Sequence, residues 1–355
     1  MTTAYTRTDD IWAQQLADIR MAKLSVFFEQ YIVESFENNE VGTHFIEALI
    51  ERARAGVTVR CIFDAQGSFT LLTNSDLADR LEKAGVKVFF YKTIENFRKH
   101  NPIRLMLRDH RKFLIIDNEI TWIGGAVIGE RFRGWLDLMM RYTNLDVAEV
   151  ASKEFKRQIL RLQDKRSLLA PLERVNSTYH FSGNAPGINN RFCYEEMCHA
   201  IMLAKTSVVM VTPYFAPPYK LFRILRRRLQ EGLSITLITP KKSDHPLADL
   251  VRERYLYILF GFGLKVEYVN SMIHAKIVLT DTDWVTFGSA NIDALSLIFN
   301  HELNIVSTDN ETLQEVISAI ELYKSSATST SIEQSTYPYF SPHKKLLANV
   351  ARFFV

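Results

Sequence analysis

The chain states one structural plan twice. His44 to Gly56 (HFIEALIERARAG) has the apolar spacing of a helix, stops at a glycine and runs into the apolar stretch VTVRCIFDA. Lys220 to Gly232 (KLFRILRRRLQEG) does the same and runs into LSITLITPK. Glycine just past the last periodic residue is where a helix can reverse its backbone and hand over to a strand. A second unit of this kind follows in each half, Leu77 to Tyr91 around Gly85 and Leu256 to Val269 around Gly263. The matched glycines are 176 and 178 residues apart. Helices alternating with apolar strands predict α/β units with a largely buried sheet. Their recurrence at one long period predicts a duplication.

A third landmark repeats in register with the first two and carries chemistry. HRKFLIID (His110 to Asp117) and HAKIVLTD (His274 to Asp281) share the pattern H-x-K-x-x-x-x-D, their histidines 164 residues apart. With nine histidines in the chain, two chance matches have odds on the order of one in a few thousand. On a strand, side chains alternate, which puts His110 with Lys112, and His274 with Lys276, on one face. An imidazole beside an ammonium is half of an anion site. Two halves facing each other surround one phosphate with two imidazoles and two cations, so that one imidazole attacks phosphorus and the other protonates the leaving oxygen. His110, Lys112, Asp117, His274, Lys276 and Asp281 are therefore the candidate catalytic residues.

Seven residues beyond each motif aspartate starts a turn of small residues, Gly124-Gly125-Ala126-Val127 and Gly288-Ser289-Ala290-Asn291. Gly125 lets the backbone approach a ligand closely, while Ser289 and Asn291 suit hydrogen bonds to phosphate oxygens. Asp137 follows His110 by 27 residues and Glu302 follows His274 by 28. Each is expected to fix its histidine through the second ring nitrogen, a surface charge being the blander reading.

A chain of 355 residues is long enough for two domains. The stretch 169–192, with its prolines and glycines, is the expected connection between an N-terminal half, 1–168, and a C-terminal half, 193–355. A net charge of +3 does not mark a nucleic-acid binder, and Arg226-Arg227-Arg228 spreads around a helix as a solvated face rather than lining a groove for single strands. Three cysteines, odd in number and without metal-ligand spacing, read as buried free thiols in a reducing compartment. No metal site and no cofactor are expected. The N-terminus lacks the pattern of a signal peptide, and no run reaches the ~20 apolar residues that span a bilayer. Any membrane contact is thus expected to be peripheral, with the ending HKKLLANVARFFV read as a short basic amphipathic helix that packs on its domain or touches lipid.

With these residues in view, the sequence resembles the phospholipase D superfamily, and within it the bacterial cardiolipin synthases of phospholipase D type. The resemblance rests on the two motifs with their glycine turns. It also rests on VTPYFAPP (Val211 to Pro218), ITPKKSDHPL (Ile238 to Leu247) and GSANIDALSLIFNHELNIV (Gly288 to Val306). It implies two similar α/β halves related by a pseudo-twofold, with one shared active site. It further implies transfer of a phosphatidyl group from phosphatidylglycerol through a phosphohistidine, with His110 as the attacking residue. The residues alone leave that assignment open, and they leave open whether an alcohol or water resolves the intermediate. A phospholipase D-type hydrolase, a nuclease and a non-enzymatic scaffold are the alternatives. The expected partners are a phospholipid and the anionic inner face of the cell membrane, reached from the cytoplasm, with no nucleic acid. Family members commonly carry Asn where this chain has Val127, and many have N-terminal membrane-spanning helices that this sequence does not show.

Overall fold

The computed structural model describes residues 1–34, 36–37, 40–91, 107–164, 175–176, 178–185 and 190–328. Residues 169–174, 177 and 186–189 of the expected connection, and the basic C-terminal segment, lie outside the described residues. The chain divides into two compact units, Met1–Phe181 and Ser182–Val355.

The first unit is built on a seven-stranded sheet of β1 (Thr2–Arg7), β2 (Ser25–Gln30), β3 (Thr58–Asp64), β4 (Lys87–Tyr91), β5 (Phe113–Ile116), β6 (Ile120–Gly124) and β7 (Leu136–Tyr142). Their order is β1-β7-β6-β5-β2-β3-β4. β2, β3 and β4 run parallel, whereas β5, β6 and β7 join as antiparallel neighbours. Helices α1 (Thr8–Met21), α2 (Val41–Arg54), α3 (Phe69–Thr73), α4 (Ser75–Lys83) and α5 (Leu145–Asp164) complete it. Strand alternation sorts the two faces. Val26 and Phe28 join the core with Phe45, Ile46 and Leu49 of α2. Phe27 points the other way and stacks on Phe155 of α5, with ring centroids 5.1 Å apart. α2 buries Phe45, Ile46, Leu49 and Ile50, the stripe expected of a helix with one face on a sheet.

The second unit repeats this plan. Its strands are β8 (Tyr179–Ala185, straddling the division), β9 (Asn190–Arg191), β10 (Ser207–Val211), β11 (Phe215–Ala216), β12 (Ser234–Pro240), β13 (Lys265–Val269), β14 (Ile277–Thr280), β15 (Trp284–Gly288), β16 (Ile292–Asp293), β17 (Glu302–Ser307) and β18 (Ala327–Thr328). Its helices are α6 (Phe192–Leu203), α7 (Tyr219–Gln230), α8 (Pro246–Phe260) and α9 (Asn310–Ser325). The nine-stranded sheet has the order β18-β13-β12-β10-β14-β15-β17-β8-β9, and β11 pairs with β16 as a separate parallel patch. Its core segment β17-β15-β14-β10-β12-β13 matches β7-β6-β5-β2-β3-β4 of the first unit strand for strand. The repeat read from sequence is thus a repeat of topology, two α/β halves of one design. The glycines that end α2 and α7 behave alike: Gly56 and Gly232 take φ of +90° and +88°, a region that residues with a Cβ enter only with strain.

Candidate active site

His110 and Lys112 precede β5, and His274 and Lys276 precede β14, so the motif residues sit on the lead-in to each strand rather than within it. Their expected place on the strand is corrected by one step. The lead-in residues stand at the strand mouth, just outside the paired ladder of β5 and β14. All four are nearly withdrawn from solvent: His110 is 8% exposed, Lys112 1%, His274 6% and Lys276 2%. Each lysine folds back on its own motif. Lys112 Nζ donates to the His110 carbonyl at 2.6 Å, and Lys276 Nζ donates to the His274 carbonyl. A buried ammonium tethered in this way is a fixed positive charge beside the imidazole, at little further entropic cost when an anion arrives.

The third motif residue is placed elsewhere. Asp117 stands five residues beyond Lys112, about 16 Å along extended chain. There its carboxylate accepts the backbone N–H groups of Lys23, Leu24 and Ser25 at 2.7 to 2.8 Å. Asp281 does the same for Lys205, Thr206 and Ser207 and also accepts from Thr206 Oγ1. Both aspartates open tight turns in the left-handed region, with φ of 53° and 52°. Asp117 and Asp281, grouped by sequence with the catalytic residues, tie the motif hairpin to the start of β2 and β10. Burial opposes ionisation of Asp281, but its backbone hydrogen bonds prevail and bring its carboxyl down to about 2.

The glycine turns also serve the sheet. A Cβ on Gly124 would lie 2.0 Å from the Leu138 carbonyl, and one on Gly288 would lie 2.4 Å from the Leu303 carbonyl. At Gly124 and Gly288 the close approach is one between strands. Gly125 N donates to the Leu138 carbonyl at 3.0 Å and Ser289 N to the Leu303 carbonyl at 3.1 Å. Register then aligns the two carboxylates. Gly124 pairs with Met139 and Gly288 with Asn304, so Asp137 and Glu302 each stand two residues before the partner of a turn glycine. Both are buried, at 0% and 1% exposure.

The halves differ in detail. Ser289 Oγ donates to Glu302 Oε2 at 2.5 Å and accepts from Leu303 N at 2.9 Å, so its proton is directed at Glu302. Asp137 Oδ1 accepts from the backbone of Leu138 at 2.7 Å. Asn291 is 5% exposed and its buried Oδ1 has no hydrogen-bond partner among the described residues, a state proteins seldom leave uncorrected outside functional sites. Its counterpart Val127 lies in the apolar core of the first unit.

Several site residues escaped the sequence reading. Tyr31 presents its edge to His110 with ring centroids 4.8 Å apart, and Lys112 Nζ lies 5.2 Å from its ring. Tyr214 follows β10 much as Tyr31 follows β2, lies 6.5 Å from His274, and donates to Asp244 Oδ1 at 2.6 Å. Burial, reinforced by Asp244, pushes the Tyr214 hydroxyl well above its ordinary value. Asp293 is 3% exposed and accepts from Ser296 N at 2.7 Å. Burial raises its carboxyl to about 6, with Glu302 adding to the rise and Lys276 opposing it. The recurrence of a tyrosine shortly after the matched strands β2 and β10 was the one signal that sequence offered for Tyr31 and Tyr214.

The residues flanking His110 are locked from behind. Arg111, 2% exposed, pairs with Glu29 at 2.5 Å, Asp109 at 3.1 Å and Glu154 at 2.9 Å. Gln158 donates to Asp109 Oδ2 at 3.0 Å. Burial holds Glu29 well above the usual carboxylate range, with Asp109 and Glu154 adding to the rise against the pull of Arg111. In the second half the positions of Asp109 and Arg111 are taken by Ile273 and Ala275, both buried and apolar.

Comparison with known proteins follows this geometry. A family model described as "Cardiolipin synthase, PLD-like domain" matches residues 16–159 and 197–323. The chain belongs to that family. It is 25% identical to cardiolipin synthase 1 of Bacillus cereus, covering 99% of this chain and 71% of the relative. It is 28% identical to cardiolipin synthase 2 of Bacillus anthracis, covering 89% and 63%, and 26% identical to cardiolipin synthase A of Klebsiella pneumoniae, covering 86% and 65%. The last two relatives are thus matched over slightly less than two thirds of their length. Among solved structures, phosphatidylserine synthase of Haemophilus influenzae aligns with a TM-score of 0.75 at 14% identity, over 99% of this chain and 93% of that one. Polyphosphate kinase of Porphyromonas gingivalis aligns with a TM-score of 0.61 at 14% identity, over 97% and 56%. These two likenesses show a common fold. No helix among the described residues is long and apolar enough to cross a membrane.

Proposed function

We propose that the protein is a phosphatidyltransferase of cardiolipin synthase type, in which the half-sites at His110/Lys112 and His274/Lys276 meet across a pseudo-twofold at one phosphate. The observation that carries this reading is the twofold construction itself. Each half holds a buried histidine at a strand mouth with a buried lysine tied to that histidine's carbonyl. Either half alone offers one imidazole and one cation. Displacement at a phosphodiester needs both a nucleophile and a proton donor, with cations to take up charge on the transferring group.

In the proposed cycle His110 attacks the phosphorus of phosphatidylglycerol, and glycerol leaves with a proton from His274. A hydroxyl of a second phosphatidylglycerol then loses its proton to His274 and attacks the phosphohistidine, giving cardiolipin and free His110. Lys112 and Lys276 neutralise the phosphate oxygens throughout. Asp137 and Glu302 hold the second ring nitrogens, and the amide of Asn291 donates to phosphate from the second half only. Membership of the cardiolipin synthase family and the similarity to cardiolipin synthases support the lipid substrate. Attachment to the inner face of the membrane is proposed as peripheral.

The test is mass spectrometry of lipids after incubation with phosphatidylglycerol vesicles. Cardiolipin with equimolar glycerol is the expected product. Phosphatidic acid instead would assign the intermediate to water and make the protein a hydrolase. Unchanged lipid would remove both readings in favour of a scaffold.

A further inference from the structure

Two chain segments that start beside the second half-site run on to line a largely apolar groove. Tyr214, beside His274, leads directly into β11 and then Pro217 and Pro218, while Asp293 of β16 leads into Ala294 and the turn Leu295–Phe299. These two segments, paired through Phe215–Ile292 and Ala216–Asp293, form one side of a cavity of about 610 Å³. α7 contributes Tyr219 and Phe222 to the other side, and α8 contributes Val251, Tyr255 and Ile258. Phe222 and Phe215 set their rings edge-on to Tyr255, at 5.5 and 6.5 Å. The two prolines bring no N–H donors to the wall. Such a volume is that of a ligand pocket, and apart from Arg254 of α8 and the hydroxyls of Tyr219 and Tyr255 its lining is apolar. Its rim leaves costly surface in water: Tyr219 is 75% exposed, Phe299 42% and Ile258 37%.

Charge on the adjoining face of α7 indicates what lies over the groove. Tyr219 also borders a shallow cleft lined by Lys220, Arg223, Arg226, Arg227 and Arg228. Lys220 is paired with Glu195, and Arg227 and Arg228 with Glu231. Arg223 and Arg226 have no carboxylate partner among the described residues and instead lie over Tyr219 and Phe262, at 5.7 and 4.6 Å. Cations set beside an exposed apolar rim match the boundary of an anionic bilayer, where phosphates lie directly above acyl chains.

We propose that this groove receives an acyl chain of the phospholipid whose phosphate is held at His274, with Arg223 and Arg226 facing the headgroups of the surrounding bilayer. The inference rests on the lipid substrate proposed above and adds the binding site for its apolar part. A chain drawn into the groove would hold the phosphate at the strand mouth and would explain why apolar surface is left open beside a polar site. Each methylene buried should tighten binding about fourfold, so KM should fall steadily with chain length until the groove is full.

The test uses phosphatidylglycerol bearing a photoactivatable diazirine near the middle of one acyl chain, incorporated into phosphatidylglycerol vesicles with the intact protein. Labelled residues are mapped by peptide mass spectrometry, and turnover of the same lipid is measured in parallel. Labels on Phe222, Tyr255, Ile258 or Ile298, lost in Ile258→Glu together with the dependence of KM on chain length, are the expected result. Labels confined to Tyr219 and Met202 would show surface contact without a chain in the groove and overturn the inference, as would labels elsewhere or none. Turnover without groove labelling would sink the groove and keep the transferase. Groove labelling without turnover would keep the groove and sink the transferase.

Discussion

Replacing Asp281 with alanine separates the structural from the chemical part of the motif. The carboxylate gathers three backbone N–H groups and the Thr206 hydroxyl at 2.6 to 2.9 Å, and these bonds lower its pKa from 3.8 to about 2. A folded-state value below the unfolded one means stability that is present above pH 4 and lost as pH falls through 2. The shift corresponds to a ceiling of about 2.5 kcal/mol. The group is largely open to water, so solvent screening brings the figure nearer to about 1 kcal/mol. For a unit of this size that is about 2–4 °C in melting temperature. Asp281→Ala should therefore melt a few degrees lower at pH 7 by calorimetry, with the difference shrinking toward pH 2. Turnover per folded molecule should stay within a few fold of wild type, because the side chain is far from His274 along its strand. An unchanged melting temperature with turnover as low as that of His274→Ala would refute the clamp.

Three further outcomes follow from the site. Arg111→Met leaves Glu29, Asp109 and Glu154 buried around an absent cation, and denaturant titration should record a loss of about 3–5 kcal/mol; a change below 1 kcal/mol would mean that the network is already neutral. Asn291→Ala removes an amide whose Oδ1 has no partner among the described residues, so the melting temperature should hold while kcat drops on the order of a hundredfold; a large loss of stability with normal kcat would reverse that assignment. Asp293, raised to about 6, favours the fold when protonated, an advantage complete below pH 4 and lost as pH rises through 6. Asp293→Asn should then gain up to about 3 kcal/mol over wild type at pH 8 and much less at pH 5, and an equal difference at both pH values would contradict the buried-carboxyl account.

The fold was legible where local pattern and tertiary demand agree. Helices that stop at Gly56 and Gly232, and the apolar strands that follow them, are written in short windows because backbone conformation and apolar spacing are local properties, whereas the start of β5 and β14 only after Lys112 and Lys276 was not read there. The partners of the motif aspartates were not, since Asp117 reaches back to Lys23, Leu24 and Ser25, and nothing at residue 117 names a strand start 92 residues earlier. The same holds for Arg111, which read as a spacer between His110 and Lys112 until Glu29 and Glu154 were brought to it from β2 and α5. Tyr31, Tyr214 and Asp293 were missed because aromatic and acidic residues after strands are common, and only the folded chain makes these particular ones neighbours of the motif. The glycine turns were found for a reason that proved incomplete: their small size admits a neighbouring strand carbonyl.

The claim on which everything else depends is that two half-sites perform one reaction. It is tested most directly by the turnover of phosphatidylglycerol with His110→Ala, His274→Ala and the double variant, each checked for wild-type melting behaviour. If the two imidazoles act as a unit, each single substitution abolishes product and the double variant is no worse than either, because residues acting together are non-additive. Turnover in either single variant that stays well above the double variant would show that one half works alone and would contradict the shared site.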